Sequence, residues 1–125
     1  MKIIGIDHIQ IAIPRGVEEQ ARAFYADLLG LEELPKPPEL AGRGGVWFKC
    51  GSQQLHLGVE DEFRPARKAH PGLEVEKLDG LINSLRSAGY EVQGGGNPAN
   101  IRRIFVSDPF GNRIELLERT SATEI

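Results

Sequence analysis

The sequence predicts an α+β fold made of two repeats with the same order of elements: strand, helix, short strand and hairpin. Three observations support this fold class. Apolar and polar residues alternate with a period of two near both ends of the chain, which is typical of strands. Two further segments carry apolar residues at helical spacing and end at a glycine. The order of segments in the first half recurs in the second half, which indicates an internal repeat.

The first half opens with a strand from Ile3 to Ile13, where Ile9, Ile11 and Ile13 share one face and His8 and Gln10 lie on the other. Residues 17–29 carry apolar side chains at helical spacing, and Gly30 is the expected C-terminal cap. The other elements predicted in this half are a short strand at 31–34, a proline-rich turn or loop at 35–38, and a hairpin of strands at 45–50 and 54–59.

The second half begins with a predicted strand at residues 70–75, followed by an amphipathic helix from Leu78 to Ala88 that ends at Gly89. A strand at 90–93 leads into a glycine-rich loop. The loop lacks the Gly-Lys-Ser/Thr that follows in phosphate-binding loops, so we interpret it as a turn. We expect the residues after Arg119 to be a frayed tail.

The last predicted hairpin, Ile104 to Leu117, closes the domain around the sequence Asp-Pro-Phe-Gly-Asn. Proline presets one turn dihedral, and glycine or asparagine can take a positive φ. Glu115 is a lone carboxylate in an otherwise apolar strand, so it is either solvated or bound to a group that compensates its desolvation. Aligning this hairpin with the first one matches Phe48 to Phe105 and His56 to Glu115.

The repeat brings four potential metal ligands to equivalent positions: His8, His70, His56 and Glu115. Each lies on the face opposite the apolar positions, and all four can point into one concavity if the two sheets curl around it. Imidazoles with one carboxylate suit Zn, Ni, Fe, Mn or Co. A lone histidine on a mixed strand face is more often a satisfied or half-exposed side chain. Because every histidine of the chain falls at such a position, we favour a metal site.

Other charged residues give weaker signals. Glu74 shares a face with His70, and we interpret it first as solvated and second as a general base. The basic residues at 64–68 and 102–103 are most simply a solvated surface. Their functional interpretation is a rim that attracts an acidic substrate, and Arg103 is the first choice because it alternates with Phe105.

The composition and net charge limit the classes of molecule that the protein is expected to bind. A chain of 125 residues, 40% hydrophobic and 26% charged, is long enough for one globular domain. Its net charge of -3, with basic residues spread along the chain, implies neither nucleic acid nor a membrane surface, so a small molecule is the expected partner. The single Cys50 excludes an intramolecular disulfide, and no apolar run approaches a membrane span. Together these favour a reducing cytoplasm.

The chain contains three notable motifs: D-H-I-Q-I-A-I at Asp7–Ile13, A-F-Y-A-D-L-L-G-L at Ala23–Leu31 and D-P-F-G-N-R-I-E at Asp108–Glu115. With these motifs it resembles the vicinal oxygen chelate superfamily, which includes glyoxalase I, fosfomycin- and bleomycin-resistance proteins, methylmalonyl-CoA epimerase and extradiol dioxygenases. The resemblance implies a single domain, 1–125, of two βαβββ modules that form a cupped, mostly antiparallel sheet with helices outside. The modules are expected at about 1–62 and 68–119.

The resemblance also implies a homodimer and a divalent metal ion inside the cup. Its first-strand ligands match His8 and His70, and the last-strand ligand of the second module matches Glu115. His56 matches the fourth ligand of glyoxalase I, although the bacterial enzymes have a glutamate there. Fosfomycin enzymes have a threonine and a tyrosine at the positions of Gln10 and Phe105, which disfavours that activity and marks both residues as expected substrate contacts.

We therefore expect a glyoxalase-like, metal-dependent lyase or isomerase that moves a proton next to a carbonyl of a small, acidic, oxygenated metabolite. Glu115 or Glu74 would be the base. One alternative is an Fe(II) extradiol-type dioxygenase that uses His8, His70 and Glu115. Another is a non-catalytic protein that binds a drug or metabolite, as bleomycin-resistance proteins do; retention of all four ligand types argues mildly against it.

Overall fold

A computed structural model describes residues 1–120 and divides the chain into two compact units, residues 1–65 and the residues from Ala66 onward. The strands are β1 (His8–Ile13), β2 (Glu32–Leu34), β3 (Val46–Cys50), β4 (Gln53–Val59), β5 (Gly72–Glu74), β6 (Gln93–Gly94), β7 (Ile101–Ser107) and β8 (Arg113–Arg119). The helices are α1 (Glu18–Arg22), which continues as a π-helical segment (Ala23–Leu28), α2 (Pro38–Ala41) and α3 (Leu78–Ser87). Both units have the predicted βαβββ order, which confirms the α+β fold class.

In the first unit a four-stranded sheet has the order β1-β4-β3-β2, with β1 parallel to β4 and the other pairs antiparallel. One face packs on α1 and the π-helical segment. Side chains of alternating strand positions meet helix side chains there, and burial of this apolar surface is the main stabilising term. The buried residues are Ile13, Ala21, Phe24, Tyr25, Val46, Phe48, Leu55 and Leu57.

The helix and sheet of the first unit are joined by Glu18. Its carboxylate accepts a hydrogen bond from the backbone N–H of Gly45 at 2.7 Å, at the start of β3. This bond lowers the pKa of Glu18 below its ordinary value. Gly45 has a φ of 86°, and a Cβ there would lie 2.2 Å from the carbonyl oxygen of Leu57, so this junction requires glycine.

The second unit repeats the sheet in the order β5-β8-β7-β6, again with the first pair parallel. Its core consists of Leu78, Ile82, Leu85, Ile104, Val106, Ile114 and Leu116. The carboxylate of Glu118 accepts hydrogen bonds from the backbone N–H groups of Lys77 at 2.9 Å and Leu78 at 3.3 Å. A β8 side chain thus caps the N-terminus of α3, where N–H groups lack helical partners.

The turn between β7 and β8 is held by two buried side chains. Asp108 accepts hydrogen bonds from the backbone N–H groups of Phe110 at 2.9 Å and Asn112 at 2.8 Å. The side-chain oxygen of Asn112 accepts a bond from the backbone N–H of Ala66 at 3.0 Å. The turn therefore also fixes the segment that precedes β5.

Some predicted boundaries were wrong for identifiable reasons. β1 begins at His8, and residues 1–7 form no regular structure. β5 begins at Gly72, so His70 precedes the strand; the intervening Pro71 has no N–H to donate. The proline-rich segment predicted as a turn or loop ends in α2, whose first residue is Pro38, a position where proline suits a helix. Apart from Thr120, the tail expected after Arg119 lies outside the described residues.

Strand pairing supports the repeat. His56 lies opposite the residue two positions after His8, and Glu115 lies opposite the residue two positions after His70. This matching register makes His56 and Glu115 structural equivalents. None of the helices in residues 1–120 is long and apolar enough to cross a membrane.

The predicted alignment of the hairpins was wrong by one residue on their first strands. Trp47 lies opposite His56, and Phe105 lies opposite Glu115. Trp47 is therefore the equivalent of Phe105, whereas Phe48 pairs with Leu55 and is buried in the core.

Candidate functional site

The second unit presents a charged surface on the sheet face opposite its core. On β7 and β8, Phe105 lies opposite Glu115, and Arg103 lies opposite Leu117. Because side chains alternate between faces, the residues at every second position lie together. We call this surface the charged face; it comprises His70, Glu74, Arg103, Phe105, Arg113 and Glu115.

His70 and Glu115 contact each other on the charged face. Nε2 of His70 lies 2.9 Å from Oε1 of Glu115, and Nδ1 of His70 lies 2.9 Å from the backbone carbonyl of Lys68. A carbonyl oxygen only accepts hydrogen bonds, so Nδ1 carries a proton. A neutral ring would then present a lone pair to the carboxylate. The geometry therefore calls for a proton, carried by either side chain, or for a cation bound by both Nε2 and Oε1.

This arrangement fits a divalent metal ion. A ligating histidine commonly donates its other ring N–H to a backbone carbonyl, which fixes the tautomer and the ring orientation. His70 does this through Lys68, and the buried Glu115 supplies a charged oxygen beside it. In the second unit, His70 Nε2 and Glu115 Oε1 are the atoms that would hold the ion.

Arg103 is a second neighbour of Glu115. Its Nη1 lies 3.6 Å from Oε2 of Glu115, and its Nε donates to the backbone carbonyl of Gly95 at 2.9 Å. A Cβ on Gly95 would lie 2.5 Å from the Phe105 ring, so the glycine permits this loop to approach. The glycine-rich loop thus positions the predicted substrate-binding arginine.

Phe105 lies among three cationic or titratable side chains. The guanidinium carbon of Arg113 lies 4.0 Å from the ring centroid, and that of Arg103 lies 5.4 Å from it. The His70 ring meets Phe105 edge-on at 5.2 Å. Stacking on an aromatic face is a favourable position for a guanidinium group.

A groove of about 670 Å³ lies in the second unit beside the charged face. Phe105 and Arg113 are shared between the groove and that face. The groove is lined by Arg67, Gly89, Tyr90, Glu91, Gln93, Phe105, Val106, Ser107, Asp108, Pro109, Gly111 and Arg113.

The equivalent face of the first unit carries stacked rings. Trp47 and His56 stack with centroids 3.8 Å apart and planes 2° apart, and His8 stacks on His56 at 4.3 Å and 16°. We call Trp47, His56 and His8 the aromatic stack. Burial, followed by the neighbouring His8, lowers the pKa of His56 below its ordinary value of 6.5. His56 is thus neutral at pH 7, the form that binds metals.

The two histidines of the stack are held by different nitrogens. Nδ1 of His8 lies 3.0 Å from the Asp7 carboxylate, and Nε2 of His56 lies 2.8 Å from the side-chain oxygen of Gln54. Each ring therefore keeps one nitrogen free as an acceptor. Lone pairs lie in the ring planes, so nearly parallel rings do not converge on one ion. Half-exposed His8 must turn before both histidines can bind the same metal.

Gln10 lies opposite His56 on the same face. A Cβ on residue 58 would lie 2.8 Å from the Gln10 side-chain amide, so the absence of a side chain at Gly58 makes room for this amide. Gln10 and Trp47 line a smaller cavity of about 220 Å³ with the cations Lys36 and Arg43. The predicted substrate contact thus lies beside a cavity in the first unit.

The second predicted base, Glu74, is solvent-exposed on the charged face. Its carboxylate lies 3.3 Å from Nε of Arg119, and both side chains are more than half exposed. This contact matches the interpretation of Glu74 as a solvated residue. Its role as a base stays a prediction.

In each unit, the predicted site residues of that unit thus lie on one face of its sheet. Across residues 1–120, no cluster of three or more His, Cys, Asp or Glu side chains is arranged to hold a metal ion. The sequence analysis missed Trp47 as a member of the aromatic stack and assigned no ligand-binding role to Arg113. The period of two along β8 from Glu115 places Arg113 on the charged face, whereas the position of Trp47 depends on the strand register.

Comparison with known proteins now decides the family. The Glyoxalase/Bleomycin resistance protein/Dioxygenase superfamily profile matches residues 5–116. The chain belongs to this superfamily. A crystal structure described as a glyoxalase family protein from Bacillus anthracis is 52% identical, with a TM-score of 0.90, covering 96% of this chain and 98% of that one. The resemblance inferred from the motifs is confirmed.

More distant members of the superfamily share the fold. Lactoylglutathione lyase from Agrobacterium tumefaciens is 24% identical, with a TM-score of 0.69 and coverage of 91% and 92%. TnmS3, an antibiotic binding protein from Streptomyces sp. CB03234, is 24% identical, with a TM-score of 0.69 and coverage of 96% and 99%. No protein of curated function matches the sequence. The superfamily therefore includes both a lyase and a binding protein with this fold.

Proposed function

We propose that this protein is a metal-dependent enzyme that moves a proton next to a carbonyl of a small, acidic, oxygenated metabolite. His8, His56, His70 and Glu115 are the proposed ligands of a divalent ion. The contact between His70 and Glu115 is the observation that supports this proposal most strongly. Its two acceptor atoms at 2.9 Å call for a proton or a cation between them.

The chemistry follows from the charges on the charged face. A divalent ion would stabilise negative charge on vicinal substrate oxygens when the neighbouring carbon loses its proton. Glu115 or Glu74 would accept that proton. Arg103 contacts Glu115 at 3.6 Å, and an acidic substrate would be attracted by the cations nearby.

The first test is the metal content of tag-free protein prepared without chelators, measured by mass spectrometry before and after reconstitution with Zn, Ni, Mn, Fe or Co. We expect near-stoichiometric metal in the parent and its loss in His70→Ala and Glu115→Ala. Glu60→Ala removes an exposed carboxylate from outside the site and should keep the metal. A parent that binds no metal even after reconstitution would contradict the proposal.

The second test addresses the reaction. Loaded protein in D2O should promote exchange of the proton next to the carbonyl of 2-oxocarboxylates, followed by NMR, and His70→Ala should abolish the exchange. The dioxygenase alternative predicts instead that the protein retains Fe and consumes oxygen with catechols. Proton exchange without oxygen uptake would favour the proton-transfer reaction. Oxygen uptake without proton exchange would favour the dioxygenase alternative instead.

The aromatic stack favours a second candidate function, in which the protein binds a ligand without catalysis. Its nearly parallel rings do not converge on one ion and could instead lie against a flat ligand. This candidate predicts that ligand affinity is the same in chelator-treated and metal-loaded protein. A strict requirement for metal in binding would exclude it.

We also propose a homodimer. The most exposed large apolar side chains, Met1, Ile3, Ile4, Ile6 and Ile9, lie together in sequence at the start of the chain. An apolar segment of this kind is stabilised when another surface covers it. Light scattering should give twice the mass of the chain, and Ile4→Lys combined with Ile6→Lys should shift it toward the monomer. A monomeric parent would contradict this assembly.

A further inference from the structure

We infer that the groove of the second unit is a binding site for a small organic monocarboxylate, with Arg113 as its anchor. This inference deepens the proposed function by naming the substrate class. It rests on the same unit, but on residues other than the proposed metal ligands. The observations that support it are the position of Arg113, the charges that line the groove and the size of the groove.

Arg113 is held in place without an acidic partner. It is half-buried, its backbone N–H donates to the carbonyl of Ala66 at 3.0 Å, and its guanidinium lies 4.0 Å from the centre of the Phe105 ring. Within residues 1–120 no carboxylate forms an ion pair with this group. Stacking uses the face of the guanidinium and leaves its N–H edges available, and such an edge binds a carboxylate through two parallel hydrogen bonds.

Arg103 lacks this freedom. Its Nε donates to the carbonyls of Gly95 at 2.9 Å and Gly96 at 3.2 Å, and its Nη1 faces Glu115. The same strand pair therefore contains one arginine bound to protein acceptors and one whose donors point to no protein anion. Arg113, rather than Arg103, is the arginine available to a ligand.

The charges of the groove favour a monoanion. Arg67 and Arg113 line it together with Glu91, whose carboxylate accepts a hydrogen bond from Gln93 at 3.0 Å. Asp108 also lines it, but its oxygens already bind the N–H groups of the turn. The charges of Glu91 and Asp108 balance those of the two arginines, and Arg113 is the arginine whose guanidinium is fixed by stacking. A dianion would add two negative charges to a groove that already contains Glu91 and Asp108, whereas a monoanion adds only one.

The dimensions favour an organic molecule over an inorganic ion. Sites for small molecules have volumes of roughly 300–1,000 Å³, and this groove of about 670 Å³ lies within that range. Tyr90, Phe105 and Pro109 provide apolar surface beside the arginines. A carboxylate on Arg113 would place the rest of an organic ligand against these side chains.

The test uses benzoate as a rigid monocarboxylate and benzamide as its neutral counterpart, added to full-length, chelator-treated protein. NMR signals of the Arg113 Nε–H and of the Ser107 and Gly111 amides report on the groove. We expect benzoate to bind at least tenfold more tightly than benzamide, and Arg113→Gln to weaken benzoate about tenfold, as loss of a charge-assisted hydrogen bond predicts. Equal affinity for the two probes would overturn the inference.

Three variants and one further probe sharpen this test. Arg119→Gln removes an arginine of β8 that pairs with Glu74 and should leave benzoate affinity unchanged. Arg113→Lys keeps the charge but loses the stacked fork, so it should restore only part of the affinity. Arg67→Gln should weaken benzoate twofold to threefold, because Arg67 is exposed. Tighter binding of inorganic phosphate than of benzoate would overturn the monocarboxylate assignment.

The outcomes separate this inference from the proposed function. Benzoate binding that depends on Arg113 in a protein unable to bind metal would support the groove and contradict the metal-dependent enzyme. Stoichiometric metal together with benzoate binding that Arg113→Gln leaves unchanged would support the metal-dependent enzyme and contradict the groove. A thermal melt of Arg113→Gln within about 2 °C of the parent would show that lost binding reflects the side chain rather than the fold.

Discussion

The two units share one backbone plan and carry different chemistry on it. In both, the first strand pairs in parallel with the last, and the last strand carries a potential ligand opposite the residue two positions after a histidine. In the first unit this ligand is His56, packed between the rings of Trp47 and His8. In the second it is Glu115, between His70 and Arg103.

This difference shows that the repeat determines where the potential ligands lie on each sheet, whereas the neighbouring side chains determine their chemical environment. The ring opposite the ligand is Trp47 in the first unit and Phe105 in the second. Trp47 stacks on its partner and helps to keep His56 neutral through burial. Phe105 instead supports the guanidinium of Arg113. The first face therefore presents stacked rings with His56 neutral at their centre, and the second presents charged side chains.

The largest expected difference in stability concerns the hairpin turns. Asp108→Ala removes the acceptor for two backbone N–H groups in the buried turn of the second unit. We expect a loss of about 2–4 kcal/mol in the free energy of unfolding, since buried donors would lose a charged acceptor. Ser52→Ala in the exposed turn of the first unit is the matched control, with an effect below about 0.5 kcal/mol. Equal effects in urea unfolding would show that the turns are equivalent.

The sequence was sufficient to predict the order of the secondary-structure elements and to assign strand residues to the two faces of each sheet. In β4 from Gln54 to Leu57 and in β8 from Arg113 to Leu116, polar residues alternate with apolar ones, so the site faces of His56 and Glu115 could be predicted. In β3, Val46, Trp47 and Phe48 are all apolar, so alternation could not decide which ring lies opposite His56. Only the strand register resolves this choice.

The contacts of the candidate site were less predictable, because they join residues far apart in sequence. Periodicity places Arg113 on the same face as Glu115, but it does not show that the guanidinium of Arg113 stacks on Phe105 of the neighbouring strand. Likewise, the bond from His70 to the carbonyl of Lys68 depends on the chain direction before β5. Periodicity carries no information on such contacts.

An intermediate effect is expected where each unit joins its helix to its sheet. Glu118→Ala removes the acceptor for the N–H groups of Lys77 and Leu78 and should cost about 1–2 kcal/mol, as loss of a helix cap does. Glu18→Ala removes a single bond to Gly45 and should cost about 1 kcal/mol. Urea unfolding of both variants measures the difference, and a larger loss for Glu18→Ala would reverse the comparison.

A pH effect should be specific to the first unit. Because folding lowers the pKa of His56 below its ordinary value of 6.5, protonation favours the unfolded chain. The stabilising contribution is complete above about pH 7 and declines as the pH falls below 6.5 toward the lowered value. In chelator-treated protein, His56→Gln should therefore reduce the stability lost between pH 7.5 and 5.5. His8→Gln should reduce it less, because His8 contributes only part of the shift. An unchanged pH profile in His56→Gln would contradict the burial of a neutral ring.

The smallest effect on stability, and the sharpest test of the asymmetry, concerns Glu74. The position equivalent to it, four residues after the first histidine, is Ala12, so only the second unit has a carboxylate there. Its pair with Arg119 is exposed, and breaking it by Glu74→Gln or Arg119→Gln should change stability by less than about 0.5 kcal/mol. If Glu74 is the base, proton exchange with 2-oxocarboxylates falls in Glu74→Gln and is retained in Arg119→Gln. Equal exchange in both variants would indicate that the base is Glu115, which contacts His70 and Arg103.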